Sequence, residues 1–271
     1  MMVDQDQSYA LIDTHAHLEL EPLVSDPEGV VERAQSAGIK AIITVGIDLQ
    51  DAKVALDIAD RFSCVFGSVG FHPHSAKDVN DKSLWQMEQL ARHPKVKAYG
   101  EIGLDFFRNH SPRDVQISVF REQLGLAKSL RKPVVIHFRA AYEMGLDMLE
   151  EAAPFPAGGV IHCFSGNREE ARRTMELGFH ISIPGPITYK KNAEFRDIVS
   201  ELPDERILLE TDCPFLAPEP LRGKDNEPAY MVHTARKVAE TRGMSFAEIA
   251  SLTTENAVRF FGLPEMAENE G

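Results

Sequence analysis

The sequence has few cysteines and no long apolar run. Its three cysteines are Cys64, Cys163 and Cys213, and no two of them have the C-x-x-C spacing. An odd, widely spaced set argues against a disulfide framework and against a thiolate zinc cluster. No apolar stretch approaches the roughly 18 residues that a membrane-spanning helix needs, and the amino terminus lacks the basic and apolar regions of a signal peptide. We therefore expect a cytoplasmic protein without a membrane partner.

Basic residues are also in the minority. Lys and Arg number 29 against 42 Asp and Glu, which gives a net charge of −13 at pH 7. This balance argues against broad nonspecific adhesion to nucleic acid or to an anionic membrane. A polyanionic substrate is still compatible with it, because several basic residues lie in loops that follow predicted strands. These residues are Arg108, Arg139, Lys190, Lys191, Arg222 and Lys224.

Side chains that can bind a metal follow apolar, strand-like runs spread along the chain. They are His15, His17, Glu101, His137, His162 and Asp212. Residues i and i+2 of a strand point to the same face, so His15 and His17 are expected to chelate one centre. Imidazole and carboxylate ligands suit zinc, manganese or iron, and six exceed what one tetrahedral ion with an open position accepts. The set therefore predicts two divalent ions (Zn, Mn or Mg), with Glu101 as the bridging carboxylate.

The same runs predict the fold. Helix-length amphipathic segments such as residues 112–130 and 168–177 separate them, and further strand candidates at residues 39–45, 64–69 and 180–183 bring the count to eight. Eight βα units in 271 residues have the size and rhythm of an α/β TIM barrel, (β/α)8. We expect a single domain over residues 1–271, with a core at about 9–263 between short polar tails. Barrel active sites lie at the carboxyl ends of the strands, where the six candidate ligands fall.

These residues also make hydrolysis of a phosphodiester plausible. Two metal ions activate a water and stabilise both oxygens of an in-line displacement. Asp212 is the natural general base, although simple ligation is the alternative. His72 and His74 follow another strand end and are expected to contact a phosphate or, for His74, to protonate the leaving oxygen; the alternative is that they only brace the loop. Arginine matches phosphate oxygens with two parallel hydrogen bonds, so Arg139 and Arg222 are expected to bind substrate.

Other residues are expected to support this centre. Lys190 and Lys224 complete the predicted substrate-binding set. Asp13 and Glu210 lie one pleat deeper than the ligands, where acids commonly bond the ligating histidines, although both can equally be buried structural acids. Phe106 and Phe107 follow the Glu101 strand and offer stacking surfaces for bases.

Seven motifs occur in the order found in a known family. They are residues 12–17 (IDTHAH), 69–74 (VGFHPH), 100–105 (GEIGLD), 137–139 (HFR), 162–166 (HCFSG), 210–212 (ETD) and 222–228 (RGKDNEP). From residue 11 to about 262 the chain resembles the TatD family of metal-dependent deoxyribonucleases, within the amidohydrolase-like metallohydrolases. The family often has Ser-Arg-Asp after the histidine at 137, where this chain has Phe138-Arg139-Ala140, a departure at a position that bears on substrate preference.

The resemblance implies which residues share each ion. His15, His17, Glu101 and Asp212 would hold one, and Glu101, His137 and His162 the other. It also implies exonucleolytic hydrolysis of single-stranded DNA from 3′ to 5′, with short single-stranded ends as the partner and a monomer as the expected state.

Two other functions compete with this interpretation. The same centre can hydrolyse an amide or ester, including the aminoacyl ester of a D-aminoacyl-tRNA. A noncatalytic metal-holding scaffold is the third class, but it predicts a lost ligand or base, and none is lost. The basic residues near the predicted strand ends favour a phosphate-containing substrate over a neutral amide.

Overall fold

Eight parallel strands form one sheet in which neighbours in sequence are neighbours in space. The computed structural model describes residues 9–264, so the predicted polar tails lie outside the described residues except for Pro264. The strands are β1 (Leu11–Ala16), β2 (Ile39–Gly46), β3 (Val65–Val69), β4 (Val96–Asp105), β5 (Val134–Arg139), β6 (Gly159–Ile161), β7 (His180–Ile183) and β8 (Ile207–Leu209). The helices are α1 (Pro27–Ser36), α2 (Leu49–Arg61), α3 (Asp81–Ala91), α4 (Arg113–Leu130), α5 (Tyr142–Ala152), α6 (Arg168–Glu176), α7 (Ala193–Glu201), α8 (Met231–Arg242) and α9 (Phe246–Phe261).

The first and last strands meet in a seam that closes the barrel. The Thr14 hydroxyl donates to the Leu209 carbonyl at 2.9 Å. Beyond β8, the Asp212 N–H donates to the His15 carbonyl at 2.9 Å, and the His17 N–H donates to the Cys213 carbonyl at 2.8 Å. The predicted TIM barrel is therefore confirmed.

The barrel interior is filled below its open end. Seven strands contribute apolar side chains to one buried cluster, namely Ile12, Ala41, Ile43, Phe66, Ala98, Val135, Val160 and Leu208, and α9 adds Ala257 and Phe261. Helix α9 closes the amino end, because Thr254 donates to the Ala10 carbonyl at 2.7 Å and Asn256 to the Ile207 carbonyl at 3.0 Å. Only the carboxyl ends of the strands thus remain available for a site.

Most predicted elements agree with the observed ones within a residue or two, and β4 is the informative exception. The sequence places Glu101 after a strand over residues 96–100, whereas β4 continues to Asp105 and contains Glu101. The pairing of β4 with β5 shifts register between Tyr99 and Ile102, which marks a bulge. Among the described residues, no helix is both long enough and apolar enough to cross a bilayer.

Candidate metal centre

The seam of the barrel brings three candidate ligands together. His15 and His17 are two residues apart at the end of β1. The His15 carbonyl accepts from the residue 212 N–H, and the His17 N–H donates to the residue 213 carbonyl. The two Nε2 atoms are 3.3 Å apart, and the Asp212 Oδ1 lies 3.5 Å from the His17 Nε2. Asp212 has a φ of 55°, in the left-handed region that aspartate tolerates better than most residues. This backbone conformation directs its carboxylate to the histidine pair.

The bulge in β4 places Glu101 inside the barrel. In a regular strand Glu101 would share the face of Tyr99, whose hydroxyl is directed to Gln123 of the outer helix α4. The extra residue at Gly100 and Glu101 reverses this, so the Glu101 side chain contacts the histidines of the interior. Gly100 has a φ of 154°, and a Cβ there would come within 2.4 Å of the Val135 carbonyl oxygen. Glycine is thus required beside the carboxylate.

Glu101 faces two groups of histidines, one with each carboxylate oxygen. Its Oε2 is 3.4 Å from the His15 Nε2 and 3.9 Å from the His17 Nε2. Its Oε1 is 2.7 Å from the His137 Nδ1 and 3.0 Å from the His162 Nε2. All six side chains predicted from the sequence therefore converge, and Glu101 lies between the two groups.

In three of these histidines one ring nitrogen is directed at the centre and the other is directed at a carboxylate. The His17 Nδ1 is 2.8 Å from the Glu19 Oε1 and 3.1 Å from the Val45 carbonyl. The His162 Nδ1 is 3.4 Å from the Glu210 Oε1, and the His137 Nε2 is 3.6 Å from the Asp105 Oδ2. An acid behind a histidine fixes its tautomer and makes its inner nitrogen a better metal ligand.

The inner nitrogens fit a bound cation. The His17 Nδ1 faces only acceptors and must donate. Burial lowers the pKa of His17, but Glu19 and Asp212 outweigh it and raise this pKa well above the usual value. Burial lowers the pKa of His162, but the flanking carboxylates Glu101 and Glu210 outweigh it and raise this pKa well above the usual value. Burial would raise the pKa of Glu101, yet the surrounding histidines hold it well below its usual range. The pocket therefore favours positive charge among its imidazoles and keeps ionised acids beside them, which suits a bound cation.

His72 and His74 occupy different positions. The His72 Nδ1 accepts a hydrogen bond from the His74 backbone N–H at 3.1 Å, so its Nε2 carries the proton in the neutral ring. That Nε2 lies 3.5 Å from the Glu101 Oε1, and burial lowers the pKa of His72 well below its usual value. The His74 Nε2 instead lies 2.8 Å from the Asp105 Oδ2. His72 is thus a neutral donor directed at the centre, whereas His74 is directed at a supporting acid.

The predicted basic residues lie at the end of a strand or in loops after the strands. Arg139 ends β5 two residues after His137 and is exposed. The Arg222 guanidinium carbon lies 4.5 Å from the centre of the Tyr189 ring. Lys190, Lys191 and Lys224 are exposed, and Lys191 lines a cavity of about 310 Å³ beside Cys163. None of these basic side chains contacts the six converging ligands in the described structure.

Sequence reasoning missed two acids of the centre. Glu19 and Asp105 are both buried and contact candidate ligands or their neighbours. Glu19 follows His17 at the same two-residue spacing that joins His15 to His17, and this spacing is the signal that was available. Two acids, Asp13 and Glu210, were predicted to bond the ligating histidines. Glu210 does lie beside His162, whereas Asp13 accepts from the Thr211 hydroxyl at 2.6 Å and links β1 to the residues after β8.

Comparison with known proteins agrees with this geometry. Residues 12–262 match the family described as TatD related DNase. The chain belongs to the TatD family. It is 43% identical over 251 residues to the uncharacterised metal-dependent hydrolase YabD of Bacillus subtilis, covering 93% of this chain and 98% of that protein. It is 36% identical over 264 residues to the 3′-5′ ssDNA/RNA exonuclease TatD of Citrobacter koseri, covering 93% of this chain and 99% of that protein.

The fold of a solved TatD-family protein matches as well. The crystal structure of YjjV, a TatD homologue from Escherichia coli K12, superposes with a TM-score of 0.89 at 33% identity, covering 94% of this chain and 98% of that one. Family membership and the candidate metal-binding groups together make this TatD-family chain a metal-dependent hydrolase.

Proposed function

We propose that this TatD-family protein is a two-metal exonuclease that hydrolyses single-stranded DNA from its 3′ end. One observation carries the proposal: the two oxygens of Glu101 face separate sets of histidine nitrogens, at 3.4 Å for His15 and 2.7 Å for His137. A carboxylate shared in this way is suited to bridge two ions held close together, as in two-metal phosphodiesterases.

The assignment of ligands follows the geometry. His15, His17 and Asp212 would hold one ion with the Glu101 Oε2, and His137 and His162 would hold the second with the Glu101 Oε1. Four imidazoles favour zinc or manganese over magnesium, which prefers oxygen ligands. When bound, such a pair lowers the pKa of the attacking water and stabilises the attacking and leaving oxygens of the phosphodiester.

Asp212 is the residue that we assign as general base. Its side chain is 14% exposed, against 3% for Glu101, so solvent reaches it at the open end of the barrel. Burial would raise the pKa of Asp212, but the contact with His17 and the nearby histidines lowers it, so the carboxylate stays ionised at neutral pH. It can therefore accept a proton from water at the point where substrate enters.

His72 is the better placed donor of the two histidines after β3. Its Nε2–H is directed at the centre, where it can donate to a phosphate oxygen without carrying a charge. His74 holds Asp105 and donates the backbone N–H that fixes the tautomer of His72, so we assign it a positioning role. Protonation of the leaving oxygen by His74, as expected from the sequence, stays the alternative.

The substrate class rests on charge and on the relatives. Arg139 at the end of β5 and Arg222, Lys190 and Lys224 in loops lie at the open end, where phosphates next to the scissile one would pass. A neutral amide or ester has no use for such a set. The relatives named 3′-5′ ssDNA/RNA exonuclease support a single-stranded substrate and its polarity. A cytoplasmic location and a monomeric state stay predictions.

The test is turnover by metal-stripped protein reloaded with zinc, manganese or magnesium. Substrates are single-stranded DNA with a free or a blocked 3′ end, the matching duplex and RNA, an aryl ester and an aryl phosphodiester. We expect stepwise release of mononucleotides from the free 3′ end only, and no turnover by the stripped protein. Rapid ester hydrolysis with intact DNA would instead establish the amide or ester hydrolase.

A further inference from the structure

Exposed aromatic rings flank the centre. The large apolar side chains that are exposed in the described residues are Trp85, Phe107, Met144, Phe215 and Leu216. Phe107 is 64% exposed and Phe215 is 51% exposed, and both lie in loops that follow strands of the barrel. Trp85 lies on α3, on the outside of the barrel. Exposed aromatic rings beside a substrate site are typical of binding surfaces.

Phe215 is held rigidly next to the seam. Its backbone N–H donates to the Asp212 carbonyl at 2.9 Å, and its carbonyl accepts from the Asn226 side chain at 2.7 Å. Asn226 is buried and also donates to the Thr211 carbonyl at 2.9 Å. The Phe215 ring centre is 6.1 Å from that of His17. The fold thus fixes the backbone that carries an exposed ring beside a proposed ligand.

Phe107 is held in a similar way after β4. The Asp105 Oδ1 accepts from the backbone N–H groups of Phe107 at 3.0 Å and Arg108 at 2.8 Å. The other oxygen of Asp105 bonds His74 and lies 3.6 Å from His137. The Arg139 guanidinium carbon lies 4.5 Å from the centre of the Phe107 ring. A cation packed on an exposed ring keeps that ring in place and adds a phosphate-binding group beside it.

The barrel topology places these two rings on opposite edges of its open end. Phe215 follows β8 and lies next to β1, and Phe107 follows β4 and lies next to Arg139 of β5. In a closed ring of eight strands these two positions are half a turn apart. The ligands project into the ring from strands on both sides, so the centre lies between the two phenylalanines.

We propose that Phe107 and Phe215 are two nucleobase-stacking subsites, one on each side of the scissile phosphodiester. The proposal rests on the nuclease function above and deepens it. Stacking on an aromatic ring needs a base with a free face and tolerates any base. Bases inside a duplex are already stacked on their neighbours. The two rings would therefore select unpaired strands with little preference for sequence.

The test pairs changes in the enzyme with changes in the substrate. Substrates are short single-stranded oligonucleotides in which an abasic residue replaces the nucleotide on the 5′ or the 3′ side of the terminal linkage. Enzymes are the wild type, Phe107→Leu and Phe215→Leu, with Phe→Trp at each position to keep an aromatic face. Trp85→Leu is the matched control, because it removes an exposed ring away from the strand ends.

We expect each abasic residue to lower kcat/KM of the wild type by about tenfold, the scale of one base–aromatic contact. Each Phe→Leu variant should lose about tenfold in kcat/KM on the intact substrate. At one of the two abasic positions, a different one for each variant, the abasic residue should no longer lower kcat/KM further. The Phe→Trp variants should retain both responses, and Trp85→Leu should match the wild type.

Two results would overturn the subsites while leaving the nuclease intact. One is a Phe→Leu variant with full activity and both responses. The other is an equal loss on intact and abasic substrates, because the ring then acts without touching a base. A metal-loaded wild type that leaves every oligonucleotide intact would overturn the proposed function together with the subsites.

Discussion

At the scale of single residues, the centre depends on side chains that each contact two polar groups. His17 is held by Glu19 through one nitrogen and directs the other at the centre, and Glu19 is itself fixed by the Thr44 hydroxyl at 3.0 Å. Asp105 divides its two oxygens between a backbone turn and a histidine. Such pairing removes the rotational freedom that would otherwise be lost when metal or substrate binds.

Asp212 provides the most direct test of the proposed chemistry. We expect Asp212→Asn to keep the fold and to lower kcat by at least about 10²-fold, because the amide keeps the shape but loses the charge and the proton acceptor. Steady-state turnover of single-stranded DNA measures this. Asp225→Asn is the control, since it removes an exposed carboxylate from the same loop. Wild-type turnover by the Asp212 variant with full metal content would remove Asp212 from the mechanism.

Replacing Glu101 should lower the metal content of the protein as well as its rate of hydrolysis. We expect Glu101→Gln to carry fewer than two ions per chain, because a single bridging carboxylate offsets charge on both. Elemental analysis of protein dialysed against a fixed free metal concentration decides the matter. Two ions retained by the variant would show that Glu101 is not the bridge.

At the scale of elements, β4 is the strand that the site depends on. Its bulge directs Glu101 inward, and Gly103, at a φ of 148°, permits close pairing with β5. A Cβ at Gly103 would lie 2.0 Å from the His137 carbonyl oxygen. The conformation of β4 therefore controls the position of a neighbouring ligand.

Replacing that glycine should separate the two strands. We expect Gly103→Ala to lower the free energy of unfolding by at least about 2 kcal/mol, because backbone rather than a flexible side chain blocks the Cβ. Chemical denaturation measures this. Gly125→Ala is the matched control: it lies within α4 with nothing near its Cβ, so alanine should raise stability by about 0.5–1 kcal/mol. Equal stability of the two variants would contradict the close pairing.

His180, the first residue of β7, should make the free energy of unfolding depend on pH. Burial lowers the pKa of His180 to about 4, helped by Arg206, whereas an unfolded chain titrates at about 6.5. As pH falls through this window the unfolded chain is protonated first, so the free energy of unfolding decreases, by about 2–3 kcal/mol at most for this residue. Denaturation of the wild type and His180→Gln from pH 7 to 4 measures the difference. Parallel curves for the two proteins would contradict the shift.

The sequence predicts much of this centre because strand ends meet at one edge of a barrel. The spacing of His15 and His17 and the apolar runs before His137 and His162 were sufficient to bring their side chains together. The direction of Glu101 was not predictable from alternation, which would place it with Tyr99 on the helix side. The role of Asp105 was also hidden, because it depends on the turn over residues 105–108 that only the folded backbone defines.

At the scale of the whole molecule, charge is distributed unevenly. The net charge is −13, yet the strand ends and loops at the open end carry Arg108, Arg139, Arg222 and several lysines. Outer helices hold paired charges instead, as in α6, where Arg172 contacts Glu169 and Glu176. A small positive opening on an acidic body can engage a few phosphates and repels the rest of a long polyanion.

Salt should therefore weaken the reaction only moderately. We expect the slope of log kcat/KM against log salt to be roughly −1.5 to −3, because each phosphate contacted on a single strand contributes about −0.7. Arg222→Ala should flatten the slope and raise KM more than it lowers kcat. Arg172→Ala on α6 is the control. A steep slope, or one unchanged by Arg222→Ala, would place the substrate on another surface.

The seam between β1 and β8 also determines when during synthesis the centre can form. His15 lies in β1 and His17 directly follows it, so both are synthesised before Asp212, which follows β8 and bonds the His15 carbonyl. A chain that ends before β8 lacks Asp212 from the proposed first ion site and has no closed barrel around the other ligands. Assembly of the complete two-ion centre must then wait for completion of the barrel, and the nascent protein presents no finished hydrolytic site to the nucleic acids that surround it during translation.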